Sequence, residues 1–106
     1  MQVTVTFRHM ESSDRLRERV MEKIGVLDHF FDRVQDVHVV LSHGKEGCVA
    51  EVVVHSPGES FPASAHGDEM FATIDQLAEK LERHFARRKE RVKLETRKGT
   101  PLEAEE

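Results

Sequence analysis

Apolar and polar residues alternate from the second position onward. Val3, Val5 and Phe7 share one side of QVTVTFR and Thr4 and Thr6 the other, which predicts a half-buried strand over residues 2–8. The period then lengthens. Leu16, Val20, Ile24 and Leu27 recur at steps of four, four and three, the spacing of a helix with one buried stripe, and Ser12 or Ser13 stands ready to accept from its first free amides. This helix should run for about fifteen residues. Gly25 weakens it by up to about 1 kcal/mol relative to Ala, and Phe30 and Phe31 close it against the core.

Alternation returns over residues 34–43, where Val37, Val39 and Leu41 share a face, and again in CVAEVVVH, residues 48–55. Gly44 and Gly47 between them mark a hairpin. Ser56, Pro57, Gly58 and Glu59 give a second turn signal, followed by a shorter alternation of Phe61, Ala63 and Ala65 over residues 61–66. Pro62 has no N–H to give a ladder, so this strand should lie at a sheet edge or begin after it. Gly67 and Asp68 lead into a second helix, with Asp68 as its cap and Glu69 in its first turn. In MFATIDQLAEKLERHFARRKERVK, residues 70–93, Phe71, Ile74, Leu77, Ala78, Leu81 and Phe85 fall on one side and predict the core-facing stripe.

The element order is therefore βαβββα, an α+β single domain. The first helix crosses over between parallel strands, and the next three strands form an antiparallel meander. Both helices cover one face of a four-stranded mixed sheet, and the other face stays open. Residues 96–106, TRKGTPLEAEE, have no apolar period and end in acids, so the domain should span residues 1–95 and the rest form a flexible acidic tail. No internal repeat suggests a second domain.

A chain of 106 residues suits one core. No run reaches the roughly 18 apolar residues of a membrane span. MQVTVTFRH lacks the basic and apolar regions of a signal peptide, so a cytoplasmic location and no membrane partner are expected. Cys48 is the only cysteine, which excludes an internal disulfide and any Cys-pair zinc module.

Charge changes the picture at one place. The whole chain has a net charge of −4, yet from Arg83 to Lys93 six cations (Arg83, Arg87, Arg88, Lys89, Arg91 and Lys93) face the single acid Glu90. Lys80, Arg83, Arg87 and Arg91 keep helical spacing, about 130° around the helix from the apolar stripe. Phosphates are the natural partners of such a patch. Cations at a helix C-terminus also complement the macrodipole, and Glu79, Glu82 and Glu90 can form local pairs, but six cations exceed what a dipole requires. Arg17 and Lys23 of the first helix can extend the basic surface, or pair with Glu18, Glu22 or Asp28.

Candidate chemistry is sparse. Seven histidines (9, 29, 38, 43, 55, 66 and 84) show no metal-ligand spacing such as HExxH, and no metal or other cofactor is expected. His38 and His55 can meet across strands on the open face. Cys48 lies in no nucleophile elbow and reads as a small hydrophobe in a strand. There is no P-loop and no GxGxxG, so an enzyme is not expected. Asp75 reads as a solvated acid near Glu79 and Lys80. Phe71 reads as core and not as a base-stacking platform.

MQVTVTFRHMESSDRLRERV, then LDHFFDRV and VHVVL, and above all GDEMFATIDQLAEKLERHFARRKERVK resemble the short-form bacterial ribosome hibernation-promoting factors and ribosome-associated translation inhibitors, formerly called sigma-54 modulation proteins. The resemblance runs from residue 1 to about residue 95. Its most specific part joins Met70, Phe71, Ala72, Ile74 and Asp75 to the KLxRxxxRxKxR run of Lys80, Leu81, Arg83, Arg87, Lys89 and Arg91.

The resemblance implies a βαβββα domain similar in shape to double-stranded-RNA-binding domains. It implies docking on the small ribosomal subunit, against 16S rRNA in the channel of the mRNA and the A-site and P-site tRNAs, with translation inhibited in stress or stationary phase. By position it implies rRNA contacts from Lys80, Arg83, Arg87, Lys89, Arg91 and Lys93, with Lys23 on the first helix and a less regular Arg88. The long form's C-terminal dimerisation domain is not expected here, so the free chain should be a monomer and any pairing of ribosomes should need a separate dimerising factor. Phe71 stands where many relatives have Tyr. The rival expectation from the charge pattern is a protein-interaction module whose basic helix binds an acidic protein.

Overall fold

The computed structural model describes residues 2–25 and 34–98, with side chains as far as Ala86. The first alternation becomes β1 (Gln2–Arg8). His9 follows it with φ 60°, a left-handed turn out of the strand. Helix α1 (Asp14–Ile24) is capped by Ser13, whose extended backbone lets its Oγ accept from Leu16 N at 3.3 Å. Leu16, Val20 and Ile24 are its buried stripe. The helix is shorter than the expected fifteen residues, ending at Gly25, whose N–H reaches Met21 O at 2.9 Å. Leu27, Phe30 and Phe31 lie outside the described residues.

The remaining strands are β2 (Asp36–Gly44), β3 (Gly47–Ser56) and β4 (Glu59–Gly67), in the sheet order β1-β2-β3-β4. β1 pairs parallel with β2 in the register Val5↔Val39, and β2–β3 and β3–β4 pair antiparallel. Gly47 (φ 111°) and Gly58 (φ 81°) take the left-handed backbone that the two tight turns need. β4 is longer than its sequence alternation and contains Pro62. It lies at the sheet edge, where a residue without an N–H is tolerated.

Helix α2 (Met70–Lys98) begins one residue later than a cap at Asp68 would place it. Glu69 is the capping residue: its carbonyl accepts from Thr73 N at 3.0 Å and from Thr73 Oγ1 at 2.7 Å, and its carboxylate accepts from Phe71 N. The acid expected in the first turn thus sits one step before it. The helix also continues through Thr96, Arg97 and Lys98, which the sequence assigned to the tail. Residues 99–106 lie outside the described residues.

Both helices cover one sheet face. Val37, Val39 and Leu41 of β2, Ala50, Val52 and Val54 of β3, and Ile74, Leu77, Leu81 and Phe85 of α2 form one buried cluster with the α1 stripe. Phe71 departs from the predicted stripe, being half-buried at the margin of that cluster. Phe61 of β4 stacks on His84 at 3.7 Å between ring centroids and meets Phe85 edge-on, tying α2 to the β4 edge. On the open face His38 and His55 meet as the sequence suggested, edge to face at 5.6 Å.

Candidate nucleic-acid interface

The two helices run in the same direction. Arg15 of α1 lies over the Phe71 ring of α2 at 6.0 Å, and one turn later Arg19 holds Asp75, so the two chains keep a constant offset. At that offset the end of α1, Ile24, is level with Lys80. α2 then continues for about 27 Å to Lys98. Phe85 is the last α2 residue in the buried cluster. The positions of Arg87, Arg88, Lys89, Arg91 and Lys93 all follow it on the same helix.

Acids pair two of the four α1 cations, Arg17 and Arg19. Arg17 pairs with Asp14 at 2.8 Å and lies over the Phe7 ring at 5.4 Å. Arg19 donates Nε to Asp75 Oδ1 at 3.0 Å and Nη2 to Asp75 Oδ2 at 2.9 Å, with Glu22 at 3.7 Å. The Asp75 hydrogen bond holds this guanidinium above its already high ordinary value. Asp75 is therefore an interhelix partner, not the solvated neighbour of Lys80 that the sequence suggested. Arg17 is paired locally, but with Asp14, which was not among the partners Glu18, Glu22 and Asp28 that the sequence offered.

Two α1 cations are left without an ion pair among the described residues, Lys23 and Arg15. Lys23 is half-buried in the last turn of α1. Arg15 was missed in the sequence, although Arg15, Arg19 and Lys23 at steps of four trace a stripe along the α1–α2 seam. On α2, Arg83 is exposed. Lys80 is exposed too, but its ammonium donates to Ser64 O on the rim of β4. The Phe71 face is occupied by guanidinium groups, with Arg19 at 5.6 Å and Arg15 at 6.0 Å, so it offers no platform for a base.

Cys48 is 5% exposed, and its thiol points at Asp68 O at 3.9 Å. Burial pushes the thiol up, aided by the charges of Glu69 and Asp68, which disfavours a nucleophilic thiolate. Among the described residues no three His, Cys, Asp or Glu side chains converge on a metal position, and no helix is long and apolar enough to cross a membrane.

A four-stranded mixed sheet covered on one face by two helices, in the order βαβββα, defines a small α+β domain whose second helix is rich in cations toward its C-terminal end. The chain belongs to the sigma 54 modulation protein / S30EA ribosomal protein family, whose model matches residues 3–93. It is 37% identical over 93 residues to proteins named ribosome hibernation promoting factor from Salmonella typhimurium and Escherichia coli K12, covering 88% of this chain and 98% of each relative. A protein of that name from Pseudomonas putida is 34% identical over 91 residues, covering 86% of this chain and 89% of the relative. Among solved structures, a ribosomal subunit interface protein from Coxiella burnetii superposes with a TM-score of 0.73 at 27% identity, covering 84% of this chain and 98% of that one. The N-terminal domain of Thermus thermophilus Protein Y superposes with a TM-score of 0.75 at 28% identity, covering 82% and 98%.

Proposed function

We propose that this chain is a ribosome hibernation factor that binds the small ribosomal subunit in the cytoplasm. It lays α2 against 16S rRNA in the channel of the mRNA and the A-site and P-site tRNAs, and inhibits translation under stress or in stationary phase by occupying that channel. No bond is made or broken. The observation that carries this reading is that α2 continues as helix through the positions of Arg87, Arg88, Lys89, Arg91 and Lys93, so that six cations from Arg83 on follow one another on a single rod, while most α1 arginines are neutralised by acids.

Cations along a helix can straddle the phosphates of folded RNA and recognise shape and backbone without reading bases. The chain has no Trp or Tyr, and its Phe71 face is occupied, so base stacking contributes little. The contacts are Lys23, Lys80, Arg83, Arg87, Arg88, Lys89, Arg91 and Lys93. Lys80 must give up Ser64 O to take part. A separate factor would pair the ribosomes.

Co-sedimentation with 30S and 70S particles over a salt series tests the proposal. Wild type should pellet at low salt, with log affinity falling by roughly 0.7–0.9 per phosphate contact for each unit of log salt. Arg87→Glu/Arg91→Glu should lose the binding while keeping its circular dichroism spectrum. Wild type remaining in the supernatant at low salt would overturn it.

A further inference from the structure

The two edges of the sheet are finished differently. Along β4, Ser60, Pro62, Ser64 and His66 are the residues whose backbone groups face outward, given the register with β3. Pro62 has no N–H to offer there, and Lys80 covers Ser64 O. That edge is blunted twice. Along β1, Gln2 N donates inward to Gln35 O at 3.1 Å, so Gln2, Thr4, Thr6 and Arg8 spend their backbone groups on β2. Val3, Val5 and Phe7 then direct theirs away from the sheet. β1 carries no proline and no lysine.

The apolar row of β1 is also incompletely covered. Val3, Val5 and Phe7 are half-buried, whereas Val37, Val39 and Leu41 beside them are at most 1% exposed. One turn beyond Arg17, which lies over Phe7, Met21 is 48% exposed, the one large hydrophobic side chain so exposed among the described residues. Among the described residues, hydrogen-bonding groups and apolar surface are thus left unfinished on the same flank.

We propose that this edge is an interface for a second copy of the chain, with the two β1 strands pairing antiparallel about a two-fold axis at Val5. The strand is complementary to itself in that register. Val5 faces Val5, Val3 faces Phe7, Thr4 faces Thr6, and Arg8, the only charge in the strand, faces Gln2 and not its own copy. The outward groups of Val3, Val5 and Phe7 become the hydrogen-bonded pairs, about six bonds in all. The axis stands perpendicular to the sheet, so all four helices remain on one side. α2 covers β3 and β4, away from the junction. So narrow an interface gives weak association, with monomer at micromolar concentration and dimer near millimolar.

Sedimentation velocity from micromolar to millimolar protein tests this, using the full chain, Thr4→Lys/Thr6→Lys and Thr4→Lys/Thr6→Glu. Thr4 and Thr6 are exposed on the open face, so both variants should keep the wild-type fold by circular dichroism. Wild type should approach twice the monomer mass. The double lysine variant sets like charges opposite and should associate at least about tenfold more weakly. The Lys/Glu variant sets opposite charges across the same pair and should recover association. Wild type remaining monomeric near millimolar concentration, or equal association of all three chains, would overturn the interface. 30S binding does not use this edge and should be unchanged in both variants.

Discussion

Arg19 and Asp75, separated by 56 residues of chain, meet as a two-bond fork that joins α1 to α2 over the Phe71 ring. The fork is part-buried and planar, a geometry in which arginine binds a carboxylate better than lysine can. Arg19→Gln and Asp75→Asn should each lower the melting temperature by a few degrees. The double variant should lose little more than either single one, because the two side chains act as a unit. A thermal double-mutant cycle measures this; additive losses would mean that the fork contributes nothing to holding the helices. High salt should shrink the coupling, since both groups keep contact with water.

Phe85 is the last α2 residue in the buried cluster among the described side chains. The residue is 2% exposed and meets Phe61 and His84 edge-on. Phe85→Ala should cost about 3–5 kcal/mol in urea unfolding. Arg87→Glu, a charge change outside the buried cluster of the described residues, should leave stability in urea within about 0.5 kcal/mol of wild type. The two variants separate anchoring of the helix from its charge.

Ser13, and not Ser12, caps α1. Ser13→Ala should destabilise the fold by about 1 kcal/mol and Ser12→Ala by a few tenths at most. Chemical denaturation of the two variants side by side is sufficient to tell them apart.

Cys48 provides a pH prediction. Its folded value is raised above the ordinary thiol value by burial, so the folded state holds the thiol proton more tightly than the unfolded chain does. The associated stability is complete below the unfolded thiol value and is lost as pH rises toward the folded one. Wild type should therefore lose more stability than Cys48→Ala between neutral and alkaline pH. Native Cys48 should also react with iodoacetamide far more slowly than it does in denaturant.

Much of this architecture could be read from periodicity, because each strand buries one face and both helices bury one stripe. Val37, Val39 and Leu41, or Ile74, Leu77 and Leu81, announce their partners by spacing alone. The clustering of cations from Arg83 onward was legible for the same reason. What spacing could not supply was pairing between distant segments. Asp75 looks solvated until Arg19 is brought beside it by the parallel arrangement of the helices, and Lys80 looks free until β4 presents Ser64 O. Phe71 fits the apolar stripe by angle, yet it stands at the seam where α1 arginines reach its face. The cap of α2 failed by one residue because Asp68 and Glu69 are both acidic, and only the first i to i+4 bond decides between them.

The length of α2 separates charge along the molecule. Six positive charges against one negative lie between Arg83 and Lys93, whereas residues 1–82 sum to −7. If the proposed rRNA is the target, its phosphates attract the basic stretch of α2 and repel residues 1–82, a torque that favours approach with that stretch leading. Orientation is selected during approach, so charge changes on the acidic body should alter the rate of capture even where they make no contact with the target.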